Sequence, residues 1–454
     1  MQRTLFVIPV PDDLLGIPVL GFGWVLAVWV LLSAVWIGLL VRRHGFSGET
    51  LAQLPLMLIV AAAIVWVLPI LRVSEWGQMG FPIRGYGVML VLAIVGAVGL
   101  GAHRAQRMGI HPEVIFSLAM WMILTGVLAA RAFFVIQYWE KFYVPGDWRA
   151  TFGEIAQVNE GGIVVYGSLI GGAAAFLAFC WYRKIPPLPL ADVIAPSMLV
   201  GMFFGRLGCL LNGCCYGGLC MLPWAVTFPA GYADQHSPPY ERHMENGAFY
   251  GLQLAEDEER RIVVMEVLPN SPAQSSGQVA AGDVIERING YPIKPQTHTQ
   301  TGREIPALEI ARGMIRQSWD RRQDPTGSLV LTLAEKGTVR LSVAELPERS
   351  LPVHPSQLYA SLNALILMLL ALAYYPFRKR DGEVIALVLA SYSATRFLME
   401  MIRSDEYAIG GTGLTISQNV SLVVFGLAVA LWFYVRLRGT PPVWPLRETA
   451  TGRE

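Results

Sequence analysis

Charge is scarce in this 454-residue chain: Asp, Glu, Lys and Arg together make up 15% of it, against about 25% in an ordinary soluble protein. The two signs nearly cancel, with 35 Lys and Arg against 34 Asp and Glu. There is no basic tract, so no nucleic-acid partner is expected. HExxH is missing, which disfavours a zinc protease of that type. Gly167-Ser168 lacks the flanking pattern of a serine-hydrolase elbow. The first apolar run, near Leu14 to Val41, is too long for a signal-peptide core and has no clear small-residue cleavage site after it, so it reads as a retained span.

Apolar side chains, by contrast, reach 54% of the chain. The few charges are also crowded: residues 231–350 hold 17 of the 34 acidic and 13 of the 35 basic side chains. Two solvents are implied, lipid for most of the chain and water for that segment. A membrane span needs about 20 mostly apolar residues. Candidates lie near 17–41, 52–71, 84–103, 114–137, 161–181, 188–211, 356–375, 383–402 and 414–436. Arg42-Arg43-His44, His103-Arg104 to Arg107, Arg183-Lys184, Arg378-Lys379-Arg380 and Arg436-Leu437-Arg438 occupy every second connection. The positive-inside rule assigns these to the cytoplasm. The amino terminus and the loops at 72–83, 138–160, 212–355 and 403–413 are then outside, and the carboxyl terminus inside.

The long outer loop predicts its own fold. Ala248 to Leu254 and Ile262-Val263-Val264 read as strands, Ser271-Pro272-Ala273 through Gly290 alternates turns with short apolar strands, and a helix over Ile305 to Gln317 precedes a strand from Ser328 to Leu333. This order resembles a PDZ domain over roughly 246–347. The resemblance implies an extended peptide added along the Leu252 to Ala255 edge, next to Gly251, Leu252, Gln253 and Leu254, with pockets near Leu308 and Met314. A rigid spacer is the alternative.

Ionisable groups inside a span cost about 2.5 kcal/mol or more, which makes each a functional candidate. Arg131, Asp192, Arg206, Arg396 and Glu400 fall within predicted spans, and Arg84 and Arg403 at span ends. Arg206 lies five residues before Leu211, or about 8 Å from the outer end at 1.5 Å per residue. Arg131, Arg396 and Arg403 are also in the outer halves of their helices. Guanidinium forks at headgroup depth suit a phosphate. Arg396, Glu400 and Arg403 share a helix face at spacings of four and three. A buried ion pair that only locks helices is the competing reading for Arg396 and Glu400. Arg206 stands in glycine-dense surroundings, Gly205-Arg206-Leu207-Gly208 leading to Asn212-Gly213 and Gly217-Gly218, where backbone can approach a ligand closely.

Gly205-Arg206-Leu207-Gly208-Cys209-Leu210-Leu211-Asn212-Gly213 resembles the signature of bacterial prolipoprotein diacylglyceryl transferases. Ile83-Arg84-Gly85-Tyr86-Gly87, Ala129-Ala130-Arg131, Gly161-Gly162 to Gly172, Leu190-Ala191-Asp192 to Pro196, Pro223-Trp224-Ala225 to Pro229, His354-Pro355-Ser356-Gln357-Leu358-Tyr359 and Arg396 to Arg403 follow in the family's order. The similarity covers roughly 81–230 and 351–436. It implies transfer of the diacylglyceryl group of phosphatidylglycerol to the lipobox cysteine of an exported prolipoprotein, with release of glycerol phosphate. It further implies Arg206 and Arg396 at the phosphate, Tyr86 and Asn212 as hydrogen-bonding groups, Glu400 orienting the arginines, and Gly217, Arg131, Arg403 and His354 as further substrate contacts. Four positions depart from the pattern. Tyr166 stands where the family usually has histidine, Cys209 and Cys214 replace the signature's first asparagine and its glutamate, and Ala360 occupies a common glutamate position. Tyr166 with Cys214 keeps open a second reading, an inactive membrane scaffold that recruits exported proteins through the PDZ-like domain.

Four of the five cysteines, Cys209, Cys214, Cys215 and Cys220, fall within twelve residues. A disulfide, a soft metal and small apolar packing are all open readings. Structural thiols or one disulfide rank above metal, because no histidine or aspartate is near and adjacent cysteines fit tetrahedral zinc awkwardly. No cofactor and no metal is expected.

The expected fold is an all-α polytopic membrane protein of about nine transmembrane helices with an inserted small α+β PDZ-like domain, in a bacterial inner membrane. Residues 1–80 hold two extra helices, 81–235 and 351–440 the two parts of the transferase core, 246–347 the extracytoplasmic insert, and 441–454 a cytoplasmic tail.

Overall fold

A computed structural model describes residues 4–45, 54–75, 77–143, 147–156, 162, 164–232, 235–294, 296–297, 304–319, 328–343, 345–403 and 412–444. Gly161, residues 404–411 of the outer loop expected at 403–413, and the tail beyond residue 444 lie outside them. The chain forms two compact units, Gln2–Val88 and Met89–Glu454.

In the first unit, strand β1 (Thr4–Pro9) pairs antiparallel with β3 (Gln78–Arg84), which also pairs with β2 (Val73–Glu75). Gly80 is needed there, since a Cβ would meet the Ile8 carbonyl oxygen at 2.1 Å. Between the strands run helix α1 (Trp24–His44) and helix α2 (Leu54–Ala62), which continues as a π-helical segment over Ala63–Val67. Val28, Leu31, Leu32, Val35 and Trp36 are all exposed on α1, as on a helix solvated by lipid.

Helix α3 (Gly85–Arg107) runs from the first unit into the second, where α4 (Pro112–Gln137), α5 (Val165–Arg183) and α6 (Pro187–Asn212) follow. Helices α4 and α5 approach closely through small residues. A Cβ on Gly167 would lie 2.7 Å from the Ala129 carbonyl oxygen, and one on Gly171 2.4 Å from the Ala129 Cβ. Such contacts replace the hydrophobic drive that lipid removes.

The insert begins with helix α7 (Pro238–Glu245). Strands β4 (Leu252–Glu256), β5 (Ile262–Val267), β6 (Val284–Ile288), β7 (Ser328–Leu333) and β8 (Gly337–Ser342) form a sheet in the order β8-β7-β6-β5-β4. Helix α8 (Ala307–Gln317) packs Ala307, Ala311 and Ile315 into the core with Leu252, Val264 and Leu331. Leu308 and Met314 pack against that core partly buried. Strand β4 is an edge of this sheet among the described strands. Before it, Gly251 takes φ +89°, and a Cβ there would lie 2.0 Å from the Ser271 hydroxyl.

The chain then returns through α9 (Ser356–Tyr374), α10 (Glu383–Glu400) and α11 (Ile416–Arg438). The segments on either side of the insert pair with each other. Val226 and Val353 exchange backbone hydrogen bonds of 3.1 and 3.0 Å, and Ala230 donates to the Glu348 carbonyl at 2.9 Å. Leu210, Tyr216, Phe228 and Val353 form a small core beneath them. This closed neck lets the sheet-bearing insert leave and re-enter the helical core without separating α6 from α9.

Seven helices among the described residues have the length and composition to cross a membrane: α1, α3, α4, α5, α6, α9 with its short extension to Phe377, and α11. Of the other two expected spans, the described part of the second runs as a short apolar helix over Met57–Val67. The other, α10, is long enough but carries Glu383, Arg396 and Glu400 within 18 residues.

Candidate active site

The helix ends opposite the basic connections bring together Arg206, Arg396, Glu400 and Arg403 of the singled-out residues. Here α6 ends, α9 begins, α10 ends and α11 begins. Met202, Arg206, Cys215, Ser356, Ala360, Asn363, Tyr392, Arg396, Met399 and Arg403 line one cavity of about 20 Å³, room for roughly one water. Three arginines, one on α6, one on α10 and one just past the end of α10, therefore line one small space. Glu400 pairs with Arg396 and, at 3.9 Å, with Arg403. Three positive charges against this one carboxylate favour an anion, and the planar forks match phosphate oxygens. Ala360, at the position of the family's glutamate, is part of this wall.

Arg396 is held from two sides. One nitrogen binds Glu400, and the other donates to the Ser417 hydroxyl at 3.0 Å. The same hydroxyl lies 3.0 Å from the Tyr166 hydroxyl. Tyr166 on α5, Ser417 on α11 and Arg396 on α10 thus form one polar chain across three helices. The sequence reading missed Ser417. A signal was present: Thr415 and Gln418 form a capping box that opens α11 and puts Ser417 in its first turn. Asn363, Ser356 and Tyr392 were also missed, for they look unremarkable until the helices pack.

Other predicted residues take different places. Arg131 donates to the carbonyls of Ile155 at 3.0 Å and Gly162 at 3.2 Å, and lies over the rings of Phe134 and Phe142. It is placed to hold the α4–α5 connection and does not line the three-arginine cavity. Asp192 is completely buried near the opposite end of its helix, accepting from the backbone of Gly382 at 2.8 Å and Ile385 at 2.9 Å. It caps the start of α10 and is remote from the arginine cavity along α6.

Asn212 ends α6, and Gly213 at φ 76° turns the chain in a left-handed cap. Gly217 lies in the neck, donating to the His354 carbonyl at 2.9 Å, and a Cβ on it would lie 2.6 Å from the His354 Cβ. His354 faces the Tyr359 hydroxyl at 3.5 Å, which accepts from the Trp224 indole at 2.8 Å. Tyr86 opens α3 in the first unit and is exposed.

A family model for prolipoprotein diacylglyceryl transferase matches residues 76–274 and 302–434. The chain belongs to this family.

Among its relatives, a Rhodopirellula baltica protein named phosphatidylglycerol--prolipoprotein diacylglyceryl transferase is 33% identical over 471 aligned residues, covering 97% of this chain and 90% of that protein. Only 3% of the chain lies outside that match, so it takes in residues of both the insert and the first unit. A Corynebacterium glutamicum protein of the same name is 26% identical over 81% of this chain and 84% of its own length. One from Trichormus variabilis is 31% identical over 147 residues, 32% of this chain and 50% of that protein.

Proposed function

We propose that this chain transfers the diacylglyceryl group of phosphatidylglycerol to the cysteine thiol of an exported prolipoprotein. The observation that carries the reading is the convergence of Arg206, Arg396 and Arg403 on one cavity. The substrate sulfur, reacting as thiolate, bonds to the terminal glyceryl carbon as that carbon's bond to the phosphate oxygen breaks. The oxygen keeps the electron pair and leaves as glycerol phosphate. Preorganised guanidinium donors stabilise the charge that grows on it.

In this scheme Arg206 and Arg396 hold the phosphate, Arg403 adds charge, Glu400 and Ser417 orient Arg396, and Tyr166 completes the polar wall. Asn212, Gly217 and His354 shape the approach of lipid and peptide, and Arg131 positions the connection before Tyr166. The present cavity is water-sized, so lipid entry requires side chains to move apart.

The bilayer is crossed nine times when α2 and α10 are counted, within a bacterial inner membrane. The basic connections lie on the cytoplasmic side, with the amino terminus and insert outside. The insert is a PDZ-like domain whose edge strand β4, beside Gly251, Leu252, Gln253 and Leu254, takes up an extended peptide. It captures the precursor next to the lipid site.

Purified protein in phosphatidylglycerol vesicles, given a lipobox peptide, is expected to yield diacylglyceryl-peptide. Absence of product from wild type, or full activity in Arg206→Ala, would overturn the assignment and leave the scaffold reading. Deletion of residues 246–347 with unchanged turnover on full-length precursors would remove the capture role alone.

A further inference from the structure

The carboxyl-terminal cap of α6 does more than end a helix. Gly213 donates to the Leu210 carbonyl at 3.2 Å and Cys214 to the Cys209 carbonyl at 3.1 Å, the paired bonds of a Schellman motif. Such a cap brings the residue after the glycine over the one five positions earlier, and an apolar contact commonly fills that spot. Here both positions are cysteine. Two close thiols are therefore imposed by the backbone, and would alone mean only packing.

The third sulfur is not imposed by the cap. Cys215 takes φ 60°, a left-handed conformation that non-glycine residues hold only when their surroundings enforce it. Ser356 donates to the Cys215 carbonyl at 2.6 Å and Gln357 to the Cys214 carbonyl at 2.8 Å. Clamped in this way, Cys209, Cys214 and Cys215 place their three sulfurs within 4.8 Å of one another. Adjacency in sequence argued against a shared ligand; the left-handed turn removes that objection.

Access and charge agree. Cys214 and Cys215 also line an open groove of about 310 Å³ with Tyr216, Pro238, Glu241, Arg242 and Glu245, so an ion can reach the sulfurs from the water side. Cys215 shares the inner cavity with Arg206 and Arg403. Three thiolates around a divalent or monovalent cation carry a net negative charge, which those two guanidinium groups offset.

We propose that Cys209, Cys214 and Cys215 bind one soft d10 cation, Zn2+ or Cu+, as thiolates. Thiolate sulfur selects these ions over hard ones, and each thiol gives up its proton to solvent as the ion enters. The bound centre forms the wall between the open groove and the arginine cavity. It also supplies anionic charge at Cys214, the position of the family's glutamate.

The test uses the full chain in detergent, reduced and stripped with chelator, then exposed under anaerobic conditions to Zn2+ in one arm and Cu+ in the other. A single retained ion per chain is expected in at least one arm, and the arm that retains it identifies the metal. In the same arm alkylation of Cys209, Cys214 and Cys215 slows by about tenfold or more at saturating ion, while Cys180 and Cys220 react as before. The triple variant C209S/C214S/C215S is expected to lose the ion. Should that variant not fold, the protection pattern in wild type still decides. Retention of neither ion, protection spread evenly over all cysteines, or a disulfide joining two of the three in chains alkylated at membrane lysis would overturn the proposal.

Discussion

Arg396 on α10 and Ser417 on α11 are joined by one hydrogen bond of 3.0 Å, and Ser417 is the only described link from Arg396 to Tyr166. Ser417→Ala cuts that link without changing charge. A hydrogen bond to a charged group is worth about 1.5–3 kcal/mol, so transfer is expected to fall about tenfold or more. Tyr166→Phe should fall less. The double variant should be no worse than Ser417→Ala, because both changes break one chain; steady-state rates of all three check this, and full additivity would contradict a shared network.

Arg206 and Arg396 differ from lysine in the fork they present. Arg206→Lys keeps the charge and loses paired donation. Transfer is expected to drop by at least about a hundredfold in Arg206→Ala, with the lysine variant recovering only a small part. Full rescue by lysine would mean that charge alone matters at this cavity.

Asp192 is buried and caps α10 through Gly382 and Ile385, with Arg378 3.9 Å away. Removing one partner of a buried charged set costs about 3–5 kcal/mol, and a lost cap about 1 kcal/mol. Asp192→Ala is therefore expected to unfold at markedly lower temperature in detergent, with Asp192→Asn intermediate. Turnover per folded molecule should stay near wild type, because the arginine cavity lies at the other end of α6. A catalytic role would show the reverse pattern.

His243, in the insert beside the neck, is buried, and its Nδ1 accepts from the Leu351 backbone N–H at 3.2 Å. Burial first, and Arg242 second, push its pKa down to about 4, against about 6.5 in the unfolded chain. Between these values the unfolded chain binds the proton more readily. This contribution to stability is thus fully present above about pH 6.5, shrinks as pH falls and is gone near pH 4, a change of up to about 3 kcal/mol. His243→Asn keeps an acceptor without titrating. Its melting temperature should lack this part of the acid-side slope, and an unchanged slope would exclude His243 as the source.

Hydropathy and loop charge were readable directly, since spanning lipid demands runs of apolar residues whatever their neighbours do. The ends of α6 and α11 were written locally too, in Asn212-Gly213 and in the Thr415 and Gln418 box. Arg206, Arg396 and Arg403 stood out as costly charges in apolar surroundings. Their common cavity did not, because contacts between α6 and α10 join residues some 190 positions apart. Ser417 and Tyr166 meet across 251 positions, and serine in a span carries no charge to mark it. Arg131 and Asp192 looked like the other ionisable residues in sequence. Only packing gave Arg131 the carbonyls of Ile155 and Gly162, and Asp192 the open end of α10. The sequence by itself determined which segments are apolar enough to cross a membrane and which side chains in them are too polar to be idle there; the tertiary structure decided which of those share a site, since hydrogen bonds and ion pairs form only within a few ångströms.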